Sequence, residues 1–328
     1  TLTARDGSTI DALSVGVAGA GGASGGAALA GNVIANRMKT GIIGSRIGSG
    51  DDVTLDAESS AVIRSLVVGV AASGGAAGQF SAMSNVITNT VAAEISGGST
   101  VIVAGDVRLQ ASDIAPDSMP FRLIPEGLSD GTDALMEYID IDIEGNILAL
   151  MVSVAGSGGA AAKASLMGNV MANDVGARIV ASTVKAGVDA AGNATLADGD
   201  VSLEALSASR VLALMVGVAG SAAVAANMNA SANVIANATE SVILGDGGVR
   251  SYVHAGGTVS LAARNSAVVD SLSVGVAGTG GAAGCAVIAG NALANTITTA
   301  IDSSTVNSGS NVVLTSVSSG LIRTLSVG

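Results

Sequence analysis

Aromatic residues are almost missing from this chain: its 328 residues include two Phe, two Tyr and no Trp. Ordinary globular cores take much of their buried area from those side chains. Here burial must come from Ala, Val, Ile and Leu, with 46 Gly letting backbones approach closely. Such a composition suits thin stacked layers better than a thick core. Charge is sparse as well, at 12% of residues, about half the usual share of a soluble domain. What charge there is runs negative, with a formal net of −12. A phosphate-binding surface needs a basic stripe, so nucleic acid is excluded as a partner. Electrostatic attachment to an anionic membrane is excluded on the same ground.

With one cysteine, Cys285, the chain can form no internal disulfide and offers no zinc-ligand spacing. Its apolar neighbours, Gly284 to Ile288, make it read as a small buried hydrophobe. The single histidine, His254, has no second His or Cys nearby and reads as a solvent-facing loop residue. No Ser-His-Asp arrangement presents itself, and no catalytic residue is assigned. Long uninterrupted apolar runs are also lacking. The most apolar stretch, 147–162, contains Ser153, Ser157 and three glycines. A membrane-spanning helix needs about 20 largely apolar residues, so no transmembrane segment is expected despite a mean hydropathy of +0.61. The start at Thr1 carries neither the basic stretch nor the apolar run of a signal peptide.

What the chain has is repetition. A Val-Gly-Val-Ala-like block begins at Val15, Val68, Val152, Val216, Val274 and Val327. An Asn-apolar-apolar-x-Asn block begins at Asn32, Asn85, Asn169, Asn233 and Asn291, 17 residues after the first block in all five copies. A third marker, Asp52-Val53-Thr54-Leu55, recurs in altered form at Asp106, Asp200, Thr258 and Asn311. The basic period is 53 residues, as from Val15 to Val68. Two arcs of each period are nearly constant in length and the remaining one is elastic, as expected of a stacked core with loops on one edge. The whole of 1–328 reads as a single repeat array with blocks beginning near 1, 52, 106, 200, 258 and 311. Neither end shows a polar cap, so further repeats are expected to flank it.

Val53, Leu55 and Ala57 alternate with polar residues, and Leu66, Val68 and Val70 with other residues. That period of two, with β-branched residues and punctuating Gly pairs, predicts an all-β, Gly/Ala-rich β-solenoid. Ala-rich pieces such as 160–172 leave a helical alternative open, and the number of coils per repeat is open too.

Few residues invite a chemical reading. The recurring Gly19-Ala20-Gly21-Gly22-Ala23 lacks the βαβ context and acidic partner of a dinucleotide loop, and Ala222-Ala223 replace the Gly pair in one copy. What persists is small size, which points to tight packing or turning. The ten phased asparagines are Asn32/Asn36, Asn85/Asn89, Asn169/Asn173, Asn233/Asn237 and Asn291/Asn295. At i and i+4 on one strand face they would stack into amide ladders; the alternative is local turn capping.

One segment, 113–142 in the third repeat, breaks the pattern with an acidic insertion holding all three prolines, Pro116, Pro120 and Pro125. At its end, Asp140, Asp142 and Glu144 alternate along what would be one strand face. They are a candidate Ca²⁺ or partner site, since hard cations take such oxygen ligands; a solvated acidic loop is the alternative, and no metal site is firm. No other cofactor is implied. Asn193, Asn229 and Asn237 fit the glycosylation acceptor, as matches in Asn- and Ala-rich sequence often do.

Taken together, the Leu-Ser-Val-Gly-Val-Ala-Gly-x-Gly-Gly-Ala, Asn-Val-Ile-x-Asn and Asp-Val-x-Leu blocks resemble the repeats of very large bacterial exoproteins, the filamentous-haemagglutinin-like adhesins and leukotoxin-type proteins. The resemblance covers essentially all of the chain outside the insertion. It implies secretion through an outer-membrane partner, a long β-helical shaft and an adhesive role at the cell surface. On that footing the expected partners are copies of the chain or neighbouring repeats, and a ligand on a host or neighbouring cell.

Overall fold

The computed structural model describes residues 1–116, 145–189 and 198–328. They are all-β, and among the described residues there is no helix. The chain passes repeatedly through one succession of strands. The first circuit is β1 (Leu2–Asp6), β2 (Thr9–Ala20), β3 (Ala23–Ile34), β4 (Arg37–Ile43) and β5 (Arg46–Ser49). The second is β6 (Val53–Ser59), β7 (Val62–Ser73), β8 (Ala76–Ile87), β9 (Thr90–Ser96) and β10 (Thr100–Val103). The third is β11 (Val107–Ile114), β12 (Ile147–Ser157), β13 (Ala160–Met171), β14 (Asp174–Val180) and β15 (Thr183–Ala186). In the fourth circuit the first two strands merge into β16 (Val201–Ser221), followed by β17 (Val224–Ile235), β18 (Ala238–Leu244) and β19 (Ser251–Ala255). The fifth is β20 (Val259–Thr279), β21 (Ala282–Leu293), β22 (Thr296–Asp302) and β23 (Ser304–Ser308), and β24 (Val312–Val327) opens a sixth.

Every strand pairs in parallel with its counterpart one circuit away, giving a long nine-stranded sheet and three five-stranded ones. Leu2, Leu55, Leu109, Leu203, Leu261 and Leu314 form one column of register partners. Val15, Val68, Val152, Val216, Val274 and Val327 form another. This pairing is consistent with a β-solenoid: one circuit of chain separates paired strands, and backbone donors and acceptors are met by the coils on either side. The Ala-rich stretch that left a helical alternative open is strand β13.

Register also locates the insertion. Asp113 pairs with Ser59, 54 residues earlier, whereas Ile147 pairs with Ile63, 84 residues earlier. The 30 extra residues therefore enter between the two limbs of the long sheet, where β6 gives way to β7 in the coil before. Asp113 itself belongs to β11 and is 1% exposed, so it is not part of a solvated loop. Asp140, Asp142, Glu144, Pro120 and Pro125 lie outside the described residues, as does Asn193.

Each coil encloses two compartments of opposite character. The first limb of the long sheet, with β9- and β10-type strands, surrounds Leu55, Ala57, Val91, Ile95, Val101 and Val103, all buried. Outside this compartment lie charges in pairs, including Lys39–Glu94 at 2.9 Å and Arg5–Glu58 at 3.2 Å. The second limb packs on the β8-type sheet through Val67, Met83, Met151, Met167 and Met215. Flexible thioethers fill this narrower gap, where aromatic rings are absent.

The turn between these last two sheets is a stacked pair of small residues: Gly21-Gly22, Gly74-Gly75, Gly158-Gly159, Ala222-Ala223 and Gly280-Gly281. A Cβ on Gly158 would stand 2.3 Å from the Gly74 carbonyl oxygen, so backbone would have to move. Gly158→Val is therefore expected to destabilise by about 1–3 kcal/mol through overpacking. Gly156→Val, whose Cβ meets nothing within 4 Å, should stay within about 0.5 kcal/mol of the parent; urea titration of both variants measures the difference.

Candidate functional site

The chemistry-bearing side chains of the second compartment stand in columns along the stack. Strand alternation turns Asn32, Asn85, Asn169, Asn233 and Asn291 inward at one register position. The Nδ2 of each donates to the Oδ1 of the next, at 2.8, 2.8, 2.7 and 2.7 Å. Asn32 also donates to Ser65 Oγ, and Asn291 donates to Thr324 Oγ1. Each inner amide is thus both donor and acceptor within a buried chain, an arrangement that polarises cooperatively.

The second asparagine of each pair does not share that strand face. β3 ends at Ile34 and β4 starts at Arg37, so Asn36 sits in a two-residue corner between sheets. There the backbone N–H of Asn36 donates to Asn89 Oδ1, Asn89 N–H to Asn173 Oδ1, Asn173 N–H to Asn237 Oδ1, and Asn237 N–H to Asn295 Oδ1. The side-chain N–H groups reach across the coil to the long sheet: Asn36 to Asp6 and Ser8, Asn89 to Ser59, Asn173 to Asp113, Asn237 to Ser207 and Ser209. This column pins the corner, combining stacking with local capping. Asn229 and Asn237 are buried, at 0% and 1% exposure, and present no glycosylation surface.

Two ionisable groups are enclosed in this framework. Asp113 receives the Asn173 amide at 2.5 Å, while its Oδ1 has no hydrogen-bond partner. Burial pushes its carboxyl up to about 6, against the hydrogen bonds from Ser59, Asn173 and Asn89, with Asp6 adding repulsion. Lys163 is 4% exposed and faces Gly217 across the compartment, where a Cβ would lie 1.5 Å from its Nζ. The Nζ donates to Asn227 Oδ1 at 3.0 Å and Asn229 Oδ1 at 2.6 Å. Burial pulls its ammonium down to about 8.

Two sequence readings need correcting. Cys285 shares the inward column of Gly26, Gln79, Lys163 and Asn227, yet it is exposed, because β21 is the outermost strand of its sheet. His254 lies in strand β19, half-buried between Lys185 and Asn307, and not in a loop.

The outside of the β8-type sheet is unusual in the opposite sense. Its outward positions, six in each of five strands, hold no charge and one polar side chain, Ser84. Two adjacent columns there alternate in size out of phase: Ala27, Phe80, Ala164, Met228, Ala286 beside Leu29, Ala82, Leu166, Ala230, Ile288. Shallow open depressions lie among them, one edged by Leu29 and Leu166, another by Phe80 and Met228.

Comparison with family models, curated proteins and solved structures finds no match. Among the described residues no three His, Cys, Asp or Glu side chains gather as a metal site, and no helix is long and apolar enough to cross a membrane. The polar columns are therefore understood from geometry alone. They hold coils in register, and the uncharged face lies open on the outside of the stack.

Proposed function

We propose that this chain is a non-catalytic structural segment of an extracellular fibre or stalk on a bacterial surface, part of a larger adhesive protein. In this reading the 53-residue period is one coil of a Gly/Ala-rich parallel β-solenoid, and reach scales with the number of coils. The observation that carries it is the continuity of the stack: each sheet runs through all five coils in parallel, with both asparagine columns bonded from coil to coil. Such a column resists shear and leaves few exposed backbone groups for proteases. The resemblance of the repeat blocks to those of large bacterial exoproteins supports the location and the adhesive role.

Immunogold electron microscopy of the source cells, with antibodies raised against this chain, tests the proposal. Label spread along surface filaments is the expected result, with an axial spacing near ~4.8 Å in diffraction from the oriented material. Label confined to the cell interior would sink it.

A further inference from the structure

The outer face of β3, β8, β13, β17 and β21 is larger than a solvent-facing surface of a monomer normally is. Strands of 12 residues stacked five deep make it about 40 Å by about 24 Å, on the order of 900 Å². The largest apolar patch of a typical monomer is about 300–600 Å², whereas a stable pairwise interface buries about 800 Å² per partner. Leu29 is 61% exposed, Ile288 61%, Met228 42%, Phe80 41% and Leu166 40%.

The geometry points to a second copy of this chain as the occupant, docked on this face about a two-fold axis parallel to the stack. The argument is the size alternation. In every coil one of the two adjacent columns carries a large side chain and the other an alanine, and the assignment switches at each step. A two-fold axis running along the stack between the columns sets coil upon like coil with the columns exchanged. Each of Leu29, Phe80, Leu166, Met228 and Ile288 then enters the space above an alanine of the other copy, at all five levels at once. A self-complementary patch of this kind is what an isologous dimer requires. Lipid tails are fluid and call for no such relief, and membrane-facing sheets carry aromatic girdles, whereas Phe80 is this face's single aromatic. The inference rests on the structural reading above and adds how fibres would associate side by side.

Sedimentation velocity of the chain over a wide concentration range tests it. A monomer–dimer equilibrium is expected for the parent. Ala164→Leu places a large side chain opposite Leu166 of the other copy and should weaken association at least tenfold, about 1.4 kcal/mol. Adding Leu166→Ala to that variant moves the large residue to the other column and should restore the dimer. If Ala164→Leu fails to fold, Ala82→Leu sets the same conflict against Phe80. A parent that stays monomeric, or a dimer indifferent to these exchanges, overturns the inference. So does partition into phosphatidylcholine vesicles with no dimer in buffer, which would assign the face to lipid. Immunogold labelling of filaments is unaffected by any of these outcomes, so the two proposals fail separately.

Discussion

Asn169→Ala is expected to lower the free energy of unfolding by about 3–5 kcal/mol, because each buried polar group left unpaired costs about 1–3 kcal/mol. Asn169 sits mid-column, with Asn85 donating to it and Asn233 accepting from it. Removing its amide leaves Asn85 Nδ2 without an acceptor and Asn233 Oδ1 without that donor, both on residues of 0% exposure. Asn32→Ala, at the first rung, removes only the donor to Asn85 Oδ1 and one bond to Ser65. It should cost about 1–2 kcal/mol by the same reasoning. Urea unfolding of the two variants measures the difference directly. Equal losses at both positions would mean that the amides act as separate local contacts and that no energy passes along the column.

The contrast between these asparagines also marks how far the sequence could be read. The phase of Asn32, Asn85, Asn169, Asn233 and Asn291 is visible without coordinates, because a strand turns every second residue to one side. That Asn36 and its counterparts stand in a corner was not visible: the spacing of four fits a continuous strand, and only the two-residue break after Ile34 removes it. The small-residue pair at Gly74-Gly75 was legible as tight packing, although not as the turn joining two sheets. Cys285 and His254 were misread because burial depends on the coil stacked above or beside a residue, which local composition does not encode. Asp113 was read as part of the acidic insertion and Lys163 was passed over, yet Lys163 carried a signal. Across 12–34, 65–87, 149–171, 213–235 and 271–293, Lys163 is the only charged residue. Because those windows align in register, a charge there stands among uncharged neighbours in every adjacent coil. The alternation of Ala and large residues on the outer face was likewise present in the letters, but it becomes a pattern only when the coils are set in register.

The combined contribution of Asp113 and Lys163 to the stability of the parent chain is expected to pass through a minimum between about pH 6 and pH 8, whereas Glu94 and Asp270, whose carboxyls are held below their usual values, contribute stability that is lost as pH falls. In that interval Asp113 is ionised and Lys163 is protonated, each inside the protein and neither paired with the other. Between pH 3.8 and about 6 the native state keeps a proton on Asp113 that the unfolded chain releases. Stability from this group is complete below pH 3.8 and is lost as pH rises through about 6, by about 3 kcal/mol at most. Between about 8 and 10.5 the unfolded chain holds a proton on Lys163 that the native state has given up. There stability climbs with pH, again by about 3 kcal/mol at most. The neighbouring coils supply neutral replacements of proven fit. Asp113 shares its column with Ser59, Ser207 and Asn265, and Lys163 shares its own with Gln79 and Asn227. Asp113→Asn should therefore flatten the acidic arm and Lys163→Gln the basic arm, each raising stability at pH 7 by at most about 3 kcal/mol. Urea titrations of the parent and both variants from pH 4 to pH 10 read the three profiles. Profiles that run parallel at every pH would show that neither group changes its proton affinity on folding, and that water reaches both through the stack.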